Sequence, residues 1–240
     1  REEAMRGTGF FPAGKEQAYH VQDEIVDNEQ RYLYLTGTGE VGLTAFHMDD
    51  VLEEADLPKK YTTVSTCFRR EAGTYGKDTA GIYRIHQFDK CEQVVICKND
   101  VAESRRWHAT MLGYSEQLLQ RLNLPYRVIQ CCTGDIGVKN AAMYDIETFM
   151  PGRVQNNDLE TGYGETHSAS RLYDFQARRL NLRYRDGDGK VRYCHTLNNT
   201  VAASPRILIP ILENYQNADG SVTVPEVLRP YMNGREGIGG

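Results

Sequence analysis

The sequence predicts an α+β fold, an antiparallel β-sheet flanked by helices. Three observations carry this. Apolar and β-prone runs at 61–68, 82–88 and 94–97 are separated by turn residues, the pattern of antiparallel strands joined by a loop. Further strand-like runs follow at 126–132, 142–149 and 191–196. Among them, 99–122 carries helix-spaced apolar pairs behind Asp100, a suitable N-cap.

Composition narrows the class. The chain has 240 residues, 40% hydrophobic and 25% charged, which fits one large soluble globular domain spanning 1–240. No apolar run approaches the ~18 residues of a membrane helix. The opening segment 1–6 is charged and mixed, unlike a signal peptide. Net charge is −5, against a protein-wide basic field for nucleic acid. The six cysteines, Cys67, Cys91, Cys97, Cys131, Cys132 and Cys194, form no CxxC pair. They read as reduced thiols of a cytoplasmic protein. The competing reading is a zinc site from Cys67 and a distant cysteine.

The elements follow in order. Residues 1–20 open without a helix start signal, as though the chain were N-terminally incomplete. Residues 32–35 are β-prone. In the following TGTGEVGL, Thr38 and Glu40 alternate, so both face one side of an expected strand, or else form a glycine-rich turn with an exposed Glu. Gly37 and Gly39 would let backbone approach a small ligand. Residues 46–57 read as a short helix ending before Pro58. In the helix 99–122, Ala102, Met111, Leu112, Leu118, Leu119 and Leu122 form the packing face. Residues 126–132 read as a buried strand, 142–149 as an alternating one, and polar 155–163 as a mobile loop. DGDG at 186–189 is a hairpin turn. A last helix begins near Pro205, with Ile207, Ile211 and Leu212 facing the sheet.

The hairpin 61–97 concentrates the chemistry. Arg69, Arg70 and Glu71 follow the first strand, and a loop carries Gly73, Gly76, Gly81, Lys77 and Asp78. Arg84 sits on the expected returning strand, so Arg69 and Arg84 can enter one cleft. Arg suits phosphate oxygens, and Phe88 offers a face for a base. Glu71 and Glu92 can accept from amino groups. Together these suit a ligand with phosphates, a purine and an ammonium; a solvated ion-pair ladder is the alternative. Downstream, Glu165 and Ser168 can share a Mg²⁺ if the backbone turns, or serve as a cap or polar loop groups. Arg206 stands at a helix start, where a cation is unusual unless a phosphate also binds.

TCFRREAGTYGKDTAGIYRIHQFDKCE at 66–92 resembles motif 2 of the class II aminoacyl-tRNA synthetases. In detail it is similar to the seryl-tRNA synthetase pattern CFRxEAGxxGxDTxGLxRxHQFxKxE, with Ile82 for Leu. GTGFFP resembles that family's MxGTGxLP stretch. TGTGE resembles its GTxE serine-recognition segment, with Gly39 where Ala is usual. Glu165, Ser168, Ser170, Asp174, Phe175, Gln176, Arg178 and Arg179 match ExxSxSNxxDFQxRR, with Arg171 in place of Asn. Arg206 falls at the motif 3 arginine, and DGSVTVPEVLRPYM resembles the family's tail.

The resemblance implies a class II catalytic core with a sheet of about six strands, without motif 1 and the helical tRNA-binding arm. It implies serine activation with ATP to seryl-adenylate, then transfer to tRNA(Ser), with tRNA(Sec) a further candidate. The implied serine site is Thr38, Gly39, Glu40, Arg69, Glu92, Asn198 and Thr200. The implied ATP site is Arg69, Arg70, Glu71, Arg84, Ile85, Phe88, Glu165, Thr166, His167, Ser168 and Arg206, with Glu165 and Ser168 holding Mg²⁺. It further implies a cytoplasmic homodimer without a membrane role. Two other classes remain open: an amino-acid:carrier-protein ligase using a zinc-bound amino group, and a non-catalytic binding homologue.

Overall fold

The computed structural model describes residues 1–26, 28–72 and 81–239. Gly73, Gly76, Lys77 and Asp78 of the hairpin loop lie outside the described residues. In chain order the elements are α1 (Glu2–Gly7), β1 (His20–Val26), β2 (Glu29–Tyr34), α2 (Gly39–Ala45), β3 (Val51–Glu53), β4 (Lys59–Phe68) and β5 (Gln87–Cys97). Then come α3 (Val101–Arg121), β6 (Tyr126–Gln130), β7 (Ala142–Phe149), β8 (Tyr163–Tyr173), α4 (Phe175–Leu180), β9 (Arg183–Arg185) and β10 (Val191–Tyr193). The chain closes with β11 (His195–Ala203), α5 (Ser204–Asn214), β12 (Val222–Thr223) and β13 (Gly237–Ile238).

The central sheet has six strands in the order β4-β5-β11-β8-β7-β6. Every neighbouring pair is antiparallel, as the α+β expectation requires. Helix α3 lies across one face, against β5, β8 and β11. Asp100 caps it by accepting from the Glu103 N–H at 2.7 Å.

The buried face of α3 is only partly apolar: it presents Ser104, His108, Met111, Ser115 and Leu119. Each polar member has a partner, as burial demands. Ser104 Oγ meets His195 Nδ1 at 2.7 Å, and His108 Nε2 donates to the Ala169 carbonyl at 2.9 Å. Ser115 Oγ donates to the Thr200 carbonyl at 2.9 Å. Leu119 and Leu122 join Leu124, Ile146 and Ile211 in a core between α3, β7 and α5. A second core beside α4 gathers Val94, Ile96, Leu180, Leu182 and Tyr184.

Alternation along the strands defines the opposite face. Asn199 turns toward α3, its Nδ2 donating to the Met111 carbonyl at 2.9 Å. Asn198 and Thr200 therefore point away from α3, and so do Phe88, Lys90 and Glu92 across the ladder. On β8 an extra residue at Thr166 breaks the register, so Glu165 opposes Glu147 while His167 opposes Ile146. Without it, Glu165 and Ser168 would lie on opposite faces; with it they share the face away from α3.

Several expectations need correction. The 37–42 stretch is no strand: Thr38 is the N-cap of α2 and Glu40 sits in its first turn. Hydroxyl capping of a free N–H outweighed the apparent alternation. Residues 46–57 form turns, β3 and a 3-10 turn at Glu54–Asp56, because β3 pairs with β9. Arg84 lies in the bend before β5 and not on a strand. Strand β6 is an edge strand, half-buried to exposed, and not the buried strand expected: Arg127 and Gln130 interrupt its apolar residues. Ala102 is exposed on α3. The polar segment 155–163 contains a 3-10 turn at Leu159–Gly162. Among the described residues no helix is long and apolar enough to cross a membrane.

Candidate active site

The face opposite α3 floors a cavity of about 550 Å³. It is walled by α2, the bend 81–86, the loop before β7, and the start of α5. Thr38, Glu40, Arg69, Glu71, Arg84, Ile85, Phe88, Glu165, Thr166, His167, Ser168, Asn198, Thr200 and Arg206 all line it. Three expected residues do not. Arg70 is exposed, with its N–H bonded to the Gln17 carbonyl. Gly39 packs beneath α2, where a Cβ would come 2.6 Å from Thr63 Cγ2. Glycine there lets α2 close down on β4. Glu92 lies under the floor, fully shielded from solvent.

Glu92 organises one cluster. Lys90 Nζ stands 2.6 Å from its Oε2 and also donates to Thr38 Oγ1 at 2.7 Å. Asn198 Nδ2 donates to Glu92 Oε1 at 2.9 Å, and Thr200 Oγ1 to Oε2 at 3.3 Å. A buried carboxylate is tolerable only when neutralised and bonded in this way. Glu40, expected beside it, is engaged elsewhere. Its carboxylate receives Lys139 Nζ at 2.7 and 2.9 Å and Gln176 Nε2 at 2.6 Å. Gln176 in turn accepts from Thr196 at 2.7 Å, tying α2 to α4 and β11.

The second cluster is cationic. Arg206, in the first turn of α5, pairs through Nη1 with Glu165 Oε2 at 3.0 Å. Its guanidinium lies 4.5 Å from the Tyr83 ring centre. Burial is the largest influence and pulls its pKa down, but the charge and hydrogen bond of Glu165 together with Tyr83 and Glu71 outweigh it, and the net shift is upward. Arg84 pairs with Glu71 at 2.7 Å, and Glu71 holds a left-handed φ of 49°. Arg69 donates through Nε to the Gly37 carbonyl at 3.2 Å, with its guanidinium 5.5 Å from the Phe88 ring centre.

Glu165 and Ser168 face the cavity beside Asp145 of β7, which opposes Ser168. Asp145 Oδ1 is buried with no hydrogen-bond partner. Burial first, then the charge of Glu165, raises the Asp145 pKa. Two carboxylates and a hydroxyl with an orphaned acceptor fit a hard cation such as Mg²⁺, which takes few protein ligands and completes its shell with phosphates and water. Among the described residues no three His, Cys, Asp or Glu side chains gather as a metal-binding group.

Four residues here were missed in the sequence: Lys90, Tyr83, Lys139 and Asp145. Lys90 had a usable signal, since it alternates with Phe88 and Glu92 on one strand face. Asp145 sat in an alternating strand whose partner was unknown. Tyr83 and Lys139 act across 82 and 99 positions of sequence, which no local pattern reports.

The comparisons with known proteins agree on one family. The model of the tRNA synthetase class II core domain (G, H, P, S and T) matches residues 19–215. The serine–tRNA ligase of Deinococcus radiodurans is 48% identical over 240 residues, covering 100% of this chain and 53% of that protein. That of Dictyoglomus thermophilum is 45% identical over 233 residues, covering 97% and 51%. This chain thus spans about half the length of these relatives. The seryl-tRNA synthetase of Pyrococcus horikoshii, solved with ATP, superposes with a TM-score of 0.88 at 44% identity over 99% of this chain and 50% of that one. The Giardia lamblia prolyl-tRNA synthetase shares the fold, with a TM-score of 0.78 at 13% identity over 95% of this chain and 43% of that one.

Proposed function

Since the chain belongs to the tRNA synthetase class II core family, we propose that it activates L-serine with ATP and serves transfer of serine to tRNA(Ser). The observation that carries this is one cavity joining the buried Glu92 cluster to the Arg206–Glu165 pair. The first suits a small amino acid with a hydroxyl; the second suits a triphosphate.

The chemistry needs no protein nucleophile. A serine carboxylate oxygen attacks the α-phosphorus of ATP, the bond to the bridging oxygen breaks, and pyrophosphate leaves. Catalysis is then positioning plus charge stabilisation. Glu92 supports the serine pocket from beneath its floor by holding Lys90, Asn198 and Thr200, with Asn198 and Thr200 near the hydroxyl. Arg69 lies between carboxylate and α-phosphate, and Phe88 stacks on adenine. Glu71, held by Arg84, accepts from the adenine amino group. Arg84 and Arg206 bind phosphates. Glu165, Ser168 and Asp145 would hold Mg²⁺, which when bound neutralises phosphate charge. Ile85, Thr166 and His167 shape the adjoining wall. Glu40, bound by Lys139 and Gln176, supports the pocket from α2 and is not assigned a direct contact.

The same reading extends to a cytoplasmic homodimer and to tRNA(Sec) as a second acceptor. The decisive test is ATP–pyrophosphate exchange on the purified protein. Exchange that depends on serine is expected; ATP binding with no serine-dependent exchange overturns the assignment.

A further inference from the structure

Tyr83 sits where the bend after the motif 2 loop meets α5 and β8, and no part of the reading above uses it. Its side chain is 7% exposed and makes contacts on three sides. Its hydroxyl donates to the Glu165 carbonyl at 2.7 Å. The Arg206 guanidinium lies 4.5 Å from its ring centre, and Arg206 Nε donates to its carbonyl at 3.4 Å. Arg206 Nη1 also donates to the Glu165 carbonyl at 3.3 Å. A second guanidinium, from Arg153, lies 4.7 Å from the same ring centre.

The surroundings are shaped for this. Gly164 leaves the room: a Cβ there would come 3.1 Å from Arg153 Nε and 3.3 Å from the Tyr83 hydroxyl. The 3-10 turn Pro151–Arg153 is fixed to α5, where Glu213 accepts from the Gly152 N–H at 2.7 Å. Arg153 is thus delivered from an anchored segment.

We propose that Tyr83 is a positioning residue for ATP: its ring orients Arg206, its hydroxyl holds the Glu165 backbone, and Arg153 steadies the ring. An Arg with several rotatable bonds and no such stop would lose its fork geometry at each encounter. The ring face attracts the cation without consuming its donors, so the N–H groups not already bonded to the Tyr83 and Glu165 oxygens are left for phosphate. The inference rests on the ATP-dependent reading above, and direct ATP binding separates the two.

The test measures the ATP Kd by calorimetry, and the KM values for ATP and serine by pyrophosphate exchange. Tyr83→Leu, which removes the ring, raises the ATP Kd about tenfold and leaves the serine KM within about twofold. Tyr83→Phe keeps the ring and holds the ATP Kd within about threefold. Arg153→Met, which spares Tyr83, raises the ATP Kd about threefold and serves if the Leu variant fails to fold. An unchanged ATP Kd in the Leu variant, or in Arg153→Met where Leu does not fold, overturns the proposal. So does a parallel rise in the serine and ATP KM values, the mark of general loosening. If the unmodified protein binds ATP but exchanges nothing with serine, the serine assignment fails while the ATP Kd series still decides the role of Tyr83.

Discussion

Lys90 Nζ lies 2.6 Å from Glu92 Oε2, and the two side chains are 6% and 0% exposed. A pair so enclosed couples strongly: removing either partner strands the other charge in a dry site, at about 3–5 kcal/mol. Lys90→Met and Glu92→Gln should each destabilise the protein markedly. The double variant should lose less than the sum, with a coupling of roughly 1–3 kcal/mol in urea unfolding. Strict additivity would mean the two side chains are solvated and independent.

Arg69→Ala and Arg206→Ala should each suppress pyrophosphate exchange without unfolding the chain. Contacts to charge that develops in the transition state are worth roughly 2.7–4 kcal/mol, so the expected loss is about 10²–10³-fold. Exchange at the unmodified rate in both variants would remove the phosphate role from this end of the cavity.

Acid should weaken the fold through its buried histidines. Burial lowers the pKa of His167 to about 4, and burial likewise lowers His108 and His195. A histidine held neutral in the fold contributes its full stability above the unfolded value of about 6.5. That contribution fades as pH falls toward 4, because the unfolded chain takes the proton first. For His167 alone the loss across this window is about 3 kcal/mol. Urea midpoints at pH 7, 5.5 and 4.5 check it, and His167→Gln should flatten the slope.

Amino-acid choice tests the Glu92 cluster. Serine should be preferred over alanine and glycine, because these leave Asn198 and Thr200 underused at about 1–3 kcal/mol per unpaired group. Threonine should be disfavoured by size. The serine preference should survive a zinc-selective chelator with Mg²⁺ present. Loss of all exchange on zinc removal would favour the carrier-ligase class instead.

Much of the fold could be read before any coordinates. Period-two runs located β4, β7 and the core of β5, and Asp100 marked the start of α3. The sheet order could not be read, because it depends on which strands meet across long separations. Edge strand β6 shows the limit: Tyr126, Val128 and Ile129 suit burial, yet its position at the end of the sheet leaves it open. At the site, Arg69, Glu71 and Arg206 were found because charged residues beside turns and helix starts are locally conspicuous. Whether Glu165 and Ser168 could meet was undecidable, since the bulge at Thr166 shows only in the pairing of β8 with β7. The partners of Glu40 were illegible for a similar reason: its counter-ion, Lys139, lies 99 residues away.

The buried stripe of α3 has a consequence for precision. A helix seated by apolar contact alone can slip by a turn and lose little, since one methyl replaces another. Ser104, His108 and Ser115 deny α3 that freedom, because each fits one acceptor or donor on β8 or β11. Any slippage would leave several of these groups without partners at once. The helix therefore works as an indexing pin. It locks the two strands at the middle of the sheet into one lengthwise setting, and the cavity residues on their far side inherit that setting.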